Sequence, residues 1–445
     1  MKKDSSLQKS SNLLYNTLND WILNETISLS LDSSERFIES IDKVITSIGD
    51  SVELLGLGEA LHGGEEILIL RNHLFKRLVE AHGYSTIAIE SSFPRAHIVN
   101  EYVNGRGSAS YEDIQDTGFS HGFGRLEANL KLVEWMREYN ADPSHPTKLS
   151  FYGFDSPTEM TYSDSPRQVL YFVLDYLTSI DSACGKEYRE RIDELIGHDS
   201  NWENPDAMMD PAKSIGLSAA ATALRIETED LISELHVRRP ELVAKSDKSS
   251  YLEAAQYATI ARQLLNYHAT LAQKSKPGKR IIDGLGIRDV MMADNLEYIV
   301  SRERGRGKVL AFAHNSHLKC GNAQWQLGIE LLTWWPAGAH LKEIFGPRYA
   351  VIGSAVGVSD ANGICQPEAG TLEERLTANP APVQFIPTHH GHGLPAPEIE
   401  AIPTRSSSTK NFSYFALTHQ SFTDFDWLVA LDSITYSRGG PPLQQ

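Results

Sequence analysis

Four short apolar runs, each followed within two residues by a carboxylate or an imidazole, constrain this chain most strongly. Runs of this length and composition are typical of buried strands. They cover residues 52–57, 86–89, 149–154 and 309–313, and the side chains that follow them are Glu59, Glu90, Asp155 and His314. In open α/β folds, ligands bind outside the carboxyl ends of parallel strands. The pattern therefore predicts one site for proton-transfer chemistry, or for a metal, at the mouth of a parallel sheet.

The fold class that we predict is α/β. The sheet is expected to be mostly parallel and flanked by helices, with a large helical insertion forming one side of an active-site cleft. Strand and helix signals alternate over residues 54–155, which is typical of βαβ units. The clearest helix runs from about Glu65 to His82 and stops at Gly83, a common residue just beyond helix ends.

The predicted domain organisation has four parts. Residues 1–48 form N-terminal helices, and residues 49–158 form the first part of the α/β core. Residues 159–280 carry long helical patterns and form the insertion, and residues 281–445 form the second part of the core. A loop rich in Pro, Gly and His is predicted at about 380–403. Later strands are predicted at 349–353 and 427–431.

Charge and cysteine usage narrow the class of protein. The formal net charge of −17 disfavours binding to nucleic-acid phosphates. The polar N-terminus does not resemble a secretory signal, and no apolar run is long enough to span a bilayer. Three distant cysteines without a CxxC pair disfavour a disulfide framework or a cysteine zinc site. We expect a cytoplasmic protein with a small-molecule partner, no nucleic-acid or membrane partner, and an oligomeric state that the sequence leaves open.

The turn at residues 58–63 (GEALHG) carries the first candidate base, His62. An imidazole titrates near neutrality and accepts a proton readily. Glu59, on the same turn, could orient the ring and fix its tautomer, as the acid does in a catalytic triad. The alternative is a glycine-rich turn whose polar groups only cap the next helix.

Glu90 follows an almost wholly apolar strand, so its carboxylate needs a partner or must be protonated. Arg71 lies on the apolar stripe of the preceding helix and is the nearest candidate partner. The alternative is a structural ion pair without a catalytic role.

His314 and His317 form an HxxH pair after the fourth strand. Two imidazoles at this spacing could bind a metal, or one could assist catalysis while the other supports it. Asn315 is expected to hold the turn between them. The alternative is a pair of capping or core histidines. A divalent metal held by Glu59, His62, Glu90 and His314 stays open but is not favoured, and we predict no cofactor.

Residues 118–122 (GFSHG) match the GxSxG pattern of a nucleophile elbow. The elbow needs an apolar strand directly before the serine, and residues 108–117 are polar and turn-like. We therefore do not expect Ser120 to be a nucleophile.

Five ordered blocks resemble the erythromycin esterase family, whose members open macrolide lactones by hydrolysis. The turn at 58–62 resembles the GE-x-x-H motif, and Arg71 and Glu90 follow it at the spacing of the family. Residues 153–155, 287–292 and 313–318 are similar to the G-x-D, RD-x-x-M and AHN-x-HL motifs. The resemblance spans about 50–355.

The resemblance implies that His62 is the general base, surrounded by Glu59, Arg71, Glu90, His314 and His317. We assign Asp155, Arg288, Asn315 and His121 to substrate binding. The expected protein is a carboxylic-ester hydrolase that opens a macrolide lactone and confers resistance. Leu61, Gly63 and Gly64 depart from the resistance enzymes, so the resemblance supports ester chemistry better than it supports erythromycin. The alternatives are a metal-dependent hydrolase or transferase acting on another natural-product ester, and a non-catalytic small-molecule-binding protein.

Overall fold

The computed structural model describes residues 13–31, 35–158, 162–379 and 381–441. Within these ranges the strands are β1 Ile27–Leu29, β2 Leu54–Glu59, β3 Tyr84–Ser92, β4 Ser150–Asp155, β5 Lys308–His314, β6 Ala323–Leu327, β7 Glu330–Trp334, β8 Tyr349–Val358, β9 Val383–Pro387 and β10 Trp427–Ser433. The helices are α1 Leu18–Glu25, α2 Glu35–Ile48, α3 Glu65–Ala81, α4 Phe93–Val103, α5 Glu127–Ala141, α6 Arg167–Ile180, α7 Ser182–Ile196, α8 Asp199–Trp202, α9 Ala219–Val237, α10 Arg239–Lys245, α11 Lys248–Leu271, α12 Pro277–Glu303, α13 Asn315–Leu318, α14 Ala337–Phe345, α15 Leu372–Thr377, α16 Ala396–Glu400 and α17 Ser421–Asp424.

The predicted fold class is confirmed, because the chain is an α/β protein with a mostly parallel eight-stranded sheet and flanking helices. Strands β6 and β7 form a separate antiparallel hairpin. The chain divides into two compact units. The first unit comprises residues up to Gly83, Ala313–Gly321 and residues from Pro347 onward, and the second comprises Tyr84–Phe312 and Asn322–Gly346.

In the first unit the strand order is β1-β9-β10-β8-β2. Strands β10 and β2 both pair with β8 in parallel, whereas β9 runs antiparallel to β10 and to β1. All six residues of β2 are buried, which its unbroken apolar and glycine composition allows. Helix α3 begins directly beyond the His62 turn. Its end at Ala81, just before Gly83 with a φ of +73°, confirms the predicted helix.

In the second unit, β3 lies between β5 and β4, and all three strands are parallel. Strand β3 is buried along its whole length and continues to Ser92, so Glu90 lies inside the strand rather than beyond it. A register shift between Ile89 and Ser92 brings the carbonyl oxygens of β3 close to Gly153 of β4. A side chain at Gly153 would overlap the Ser91 carbonyl, which explains the glycine in the GFD block.

The helical part of the second unit extends from α6 to α12, and α11 packs against α6, α9 and α12. The bounds of the insertion at 159–280 and its place beside a cleft stay predictions, and residues 159–161 lie outside the described ranges. No helix in the described part of the chain combines the length and apolarity needed to cross a membrane.

The prediction of a loop at about 380–403 is wrong for part of that range. Residues 383–387 form β9, whose five side chains are all buried. Prolines at 380, 382 and 387 flank the apolar run and hide its strand signal. The prediction of helices over 1–48 holds for α1 and α2, although β1 lies between them and residues 1–12 and 32–34 are outside the described part.

Candidate functional site

Glu59, the last residue of β2, is in direct contact with His62 on the turn that follows. Glu59 Oε1 lies 2.7 Å from His62 Nδ1. The Glu59 side chain is only 4% exposed, whereas that of His62 is 33% exposed. An ionised carboxylate only accepts hydrogen bonds, so Nδ1 carries the proton in this contact. Nε2 is then the basic nitrogen of the neutral ring, which is the arrangement that a general base requires.

Residues 411–415, which we call the strap, fix the backbone of this turn. The His62 N–H donates to Ser413 Oγ at 2.9 Å, and Asn411 Nδ2 donates to the His62 carbonyl at 3.1 Å. The Phe415 N–H donates to the Ala60 carbonyl at 2.7 Å. The strap was not predicted from the sequence, because these bonds use backbone atoms or small polar side chains that form no recognisable motif.

His314 lies next to His62, with ring centroids 5.1 Å apart. Its Nε2 lies 2.6 Å from the Ser413 carbonyl oxygen, and its Nδ1 lies 2.6 Å from Ser316 Oγ. The carbonyl can only accept, so Nε2 carries the proton and Nδ1 accepts from the Ser316 hydroxyl. Both nitrogens are therefore engaged, and His314 is a less suitable base than His62.

Asn315 forms hydrogen bonds with strand β8. Its side chain is fully buried, Oδ1 accepts from the Ser354 N–H at 3.0 Å, and Nδ2 donates to the Ser354 carbonyl at 2.8 Å. A side chain at Gly58 would overlap Asn315 Oδ1. Asn315 begins the single turn of α13, and its assignment to substrate binding stays a prediction.

Arg71 and His317 are both buried in the first unit, at 1% and 6% exposure. Nε and Nη2 of Arg71 donate to Asn72 Oδ1 at 3.0 and 2.8 Å. The His317 ring centroid lies 6.4 Å from that of His314. The catalytic roles of Arg71 and His317, and the pairing of Arg71 with Glu90, stay predictions.

A second set of predicted residues comes together in the second unit, and we call Glu90, His121, Asp155 and Arg288 the Arg288 cluster. Arg288 Nε and Nη2 donate to the two carboxylate oxygens of Asp155 at 2.9 and 2.7 Å. Nη2 also donates to Glu90 Oε1 at 3.0 Å. His121 Nε2 lies 3.1 Å from Asp155 Oδ2.

Electrostatics keep Asp155 and Arg288 ionised. Burial alone raises the pKa of Asp155, but the Arg288 charge, with hydrogen bonds from His121 and Arg288, outweighs burial and lowers it to about 2. The nearby carboxylates outweigh burial at Arg288 and raise the pKa of its guanidinium. A bidentate, ionised pair of this kind is rigid and suits positioning rather than proton transfer.

Ser120 is held by β3. It is 1% exposed, its Oγ accepts from the Ser92 N–H at 3.0 Å, and its N–H donates to Ser91 Oγ at 2.9 Å. These contacts give it a structural role in the second unit.

A metal site needs several His, Cys, Asp or Glu side chains that converge on one point. In the part of the chain that the structure describes, no three His, Cys, Asp or Glu side chains are grouped as metal ligands.

Known proteins with a similar sequence or fold identify the family. The family model for erythromycin esterase matches residues 79–433, a range that includes the Arg288 cluster and His314 and begins after the His62 turn. Erythromycin esterase type II of Escherichia coli is 23% identical over 338 residues, which cover 75% of this chain and 76% of that protein.

Two solved structures share the fold. A Bacillus cereus protein has a TM-score of 0.73 at 20% identity and covers 97% of this chain and 100% of its own. A variant of the erythromycin esterase EreC in its open conformation has a TM-score of 0.67 at 17% identity, covering 93% and 98%. Since the family model matches most of the chain, the resemblance in the sequence motifs is confirmed: the protein belongs to the erythromycin esterase family of carboxylic-ester hydrolases.

Proposed function

We propose that this protein opens the lactone ring of a macrolide-type compound with a water molecule that His62 deprotonates. The observation that carries the proposal is the 2.7 Å contact between His62 Nδ1 and Glu59, which directs the basic Nε2 away from the carboxylate. Ring opening would inactivate such an antibiotic, so a resistance role follows. We further propose that it acts in the cytoplasm on a small molecule, without a nucleic-acid or membrane partner.

The reaction balances with one water and one ester. His62 Nε2 takes a proton from water as the oxygen attacks the ester carbonyl carbon, and a tetrahedral intermediate forms. The C–O bond to the ring oxygen then breaks, and the imidazolium returns its proton to the departing alkoxide. The product is a hydroxy acid one water heavier than the lactone. Glu59 stabilises the imidazolium and keeps the ring in its productive tautomer.

The negatively charged oxygen of the tetrahedral intermediate needs a hydrogen-bond donor to stabilise it. Both His314 nitrogens are already engaged, by Ser316 and by the Ser413 carbonyl. In the proposal the oxyanion donor is therefore Arg71 or His317, and His314 is a positioning residue that holds the strap. A single oxyanion donor commonly contributes about a hundredfold or more in kcat.

A His62→Asn variant tests the base. Macrolides of several ring sizes would be incubated with wild-type protein, His62→Asn and the matched control His236→Asn, whose histidine is exposed on α9. Mass spectrometry would detect a product heavier by one water. We expect His62→Asn to lower kcat by about 10²–10⁴-fold, and the control to match wild type.

Other outcomes decide between the alternatives. Wild-type turnover by His62→Asn would refute the assignment of the base. Activity that a chelator removes and added zinc or manganese restores would favour the metal-dependent alternative. Tight binding with every macrolide recovered unchanged would favour the binding protein, and no binding or change would move the search to other natural-product esters.

A further inference from the structure

The second unit contains a cavity of about 910 Å³ that the proposed reaction does not use. Residues of α9, α11, α12, β7 and α14 line it. Cavities of this size hold drug-sized ligands. We call it the α11–α12 cavity.

This cavity is distinct from the Arg288 cluster, although α12 contributes to both. The α12 stripe along the cavity is Asp283, Ile287, Val290 and Asp294, spaced by four, three and four residues. At about 100° per residue, this stripe lies roughly 130° around the helix from Arg288. A ligand in the cavity would therefore contact a face of α12 other than the one that binds Asp155.

Gln263 and Asp294, which each carry a hydrogen-bond acceptor, are neighbours on the cavity wall. Gln263 is 8% exposed, and its Nε2 donates to Asp294 Oδ2 at 2.5 Å. Within the described ranges, Gln263 Oε1 accepts no hydrogen bond. A buried amide oxygen without a donor is costly, so this atom indicates a ligand that supplies an N–H or O–H.

Three carboxylates, Glu229, Asp283 and Asp294, line the cavity together with Arg262 and His340, and Asp294 is the one that we expect to attract a cation. Glu229 lies 3.7 Å from Arg262, and Asp283 accepts from Lys279 at 2.6 Å. Asp294, by contrast, forms no ion pair with the described residues, and its hydrogen bond comes from a neutral amide. Burial and the Glu297 charge raise the pKa of Asp294, and the Gln263 hydrogen bond and the charges of Arg262 and His340 oppose that rise without outweighing it. A bound cation would oppose the rise further.

Aromatic and apolar groups complete the wall. Trp335 is 57% exposed and Val290 39%, and the mostly buried Trp334 lies beside them in the chain. Indole faces attract cations and bury large apolar areas. We propose that the α11–α12 cavity binds a primary or secondary amine on an apolar body. The ammonium donates to Asp294 and to Gln263 Oε1, and the body packs against Trp335 and Val290.

The test compares two molecules of one shape by calorimetry on the full-length protein, without any ester present. They are 2-(2-naphthyl)ethylamine and its neutral counterpart 2-(2-naphthyl)ethanol. We expect the amine to bind at least about tenfold more tightly than the alcohol, because both can donate a hydrogen bond to Asp294 but only the ammonium brings a positive charge to the carboxylate. Turnover is not measured, so failure here is separate from failure of the proposed hydrolysis.

Variants locate the site. Asp294→Asn should weaken amine binding about tenfold or more. Asp283→Asn, the same change on the same helix and in the same cavity, should have a much smaller effect because Lys279 already holds that carboxylate. Trp335→Ala, at an exposed position, provides a second variant that does not depend on the folding of the first. Absence of amine binding, equal binding of amine and alcohol, or unchanged affinity in Asp294→Asn and Trp335→Ala would overturn the proposal.

Discussion

Replacing Arg288 with methionine tests the reasoning on the Arg288 cluster. The change removes the cation that pairs with Asp155 and Glu90 and keeps an apolar side chain of similar reach. The Asp155 side chain is 0% exposed and that of Glu90 is 4% exposed, so the variant removes one guanidinium that contacts two buried carboxylates. Breaking a buried pair by removing one partner typically costs about 3–5 kcal/mol.

The pKa of Asp155 supplies an independent magnitude. It falls from an ordinary 3.8 to about 2 in the folded protein. At about 1.4 kcal/mol per pKa unit, the contacts of Asp155 stabilise the fold by about 2 kcal/mol. Because the folded pKa is depressed, this contribution is present above about pH 4 and is lost as the pH falls towards 2. Adding the loss of the Arg288–Glu90 ion pair gives an expected loss of about 3–5 kcal/mol at pH 7.5.

The pH dependence separates this account from a simple packing defect. Without Arg288, burial should raise the Asp155 pKa above its ordinary value, so the folded variant takes up a proton that the unfolded chain would release. Lowering the pH from 7.5 to 5 should therefore reduce the difference in free energy of unfolding between wild type and variant.

Urea denaturation at both pH values measures this difference. Arg106→Met is the matched control, since Arg106 and its partner Glu101 have side chains 59% and 30% exposed, and we expect little change there. A loss below about 1 kcal/mol for Arg288→Met at pH 7.5, or a difference that stays constant between pH 7.5 and 5, would refute the reasoning.

Three further predictions concern the first unit. Gly58→Ala should destabilise the protein by about 1–3 kcal/mol in urea denaturation, because the new methyl group would overlap Asn315 Oδ1 and lie 3.2 Å from the Asn315 Cα. Ser316→Ala should lower kcat about fivefold with little change in the melting temperature, because it removes one hydrogen bond worth about 1 kcal/mol from His314 Nδ1. Phe412→Ala should raise KM for an apolar ester about tenfold and leave kcat unchanged, because this 76% exposed ring lies between the two strap residues that bind the His62 backbone.

Each of these variants has a result that would contradict it. Gly286→Ala is the control for Gly58→Ala, since a methyl group there meets nothing within 4 Å, and equal stability changes would contradict the packing argument. A lowered melting temperature in Ser316→Ala would indicate a structural role instead. An unchanged KM in Phe412→Ala would place the substrate away from the strap.

The sequence predicted the parallel strands well because burial on both faces gives long apolar runs, as in β3 and β8. It missed β9 because prolines surround that strand, and it missed the β6–β7 hairpin because β6 alternates apolar and polar residues over only five positions. The pattern of apolar and polar residues in such short segments does not differ enough from that of loops to predict a strand.

In the candidate site, too, some contacts could be predicted from the sequence and others could not. The contact of Glu59 with His62 follows from two side chains on one short turn, and the pairing of Asp155 with Arg288 joins two motif blocks. The strap could not be predicted, because Ser413 contributes its carbonyl oxygen as well as its hydroxyl, and a backbone atom leaves no trace in residue type.

The position of the strap late in the chain also determines when, during translation, the His62 turn can reach its final structure. The hydrogen bond from His62 to Ser413 joins residues 351 positions apart. At about 5–20 residues per second, the ribosome needs roughly 20–70 s after making His62 before Ser413 emerges from the catalytic centre of translation. Throughout that interval the His62 turn lacks its backbone clamp. A nascent chain should therefore stay inactive until the strap has been added, and a chain stalled before residues 411–415 should never become active.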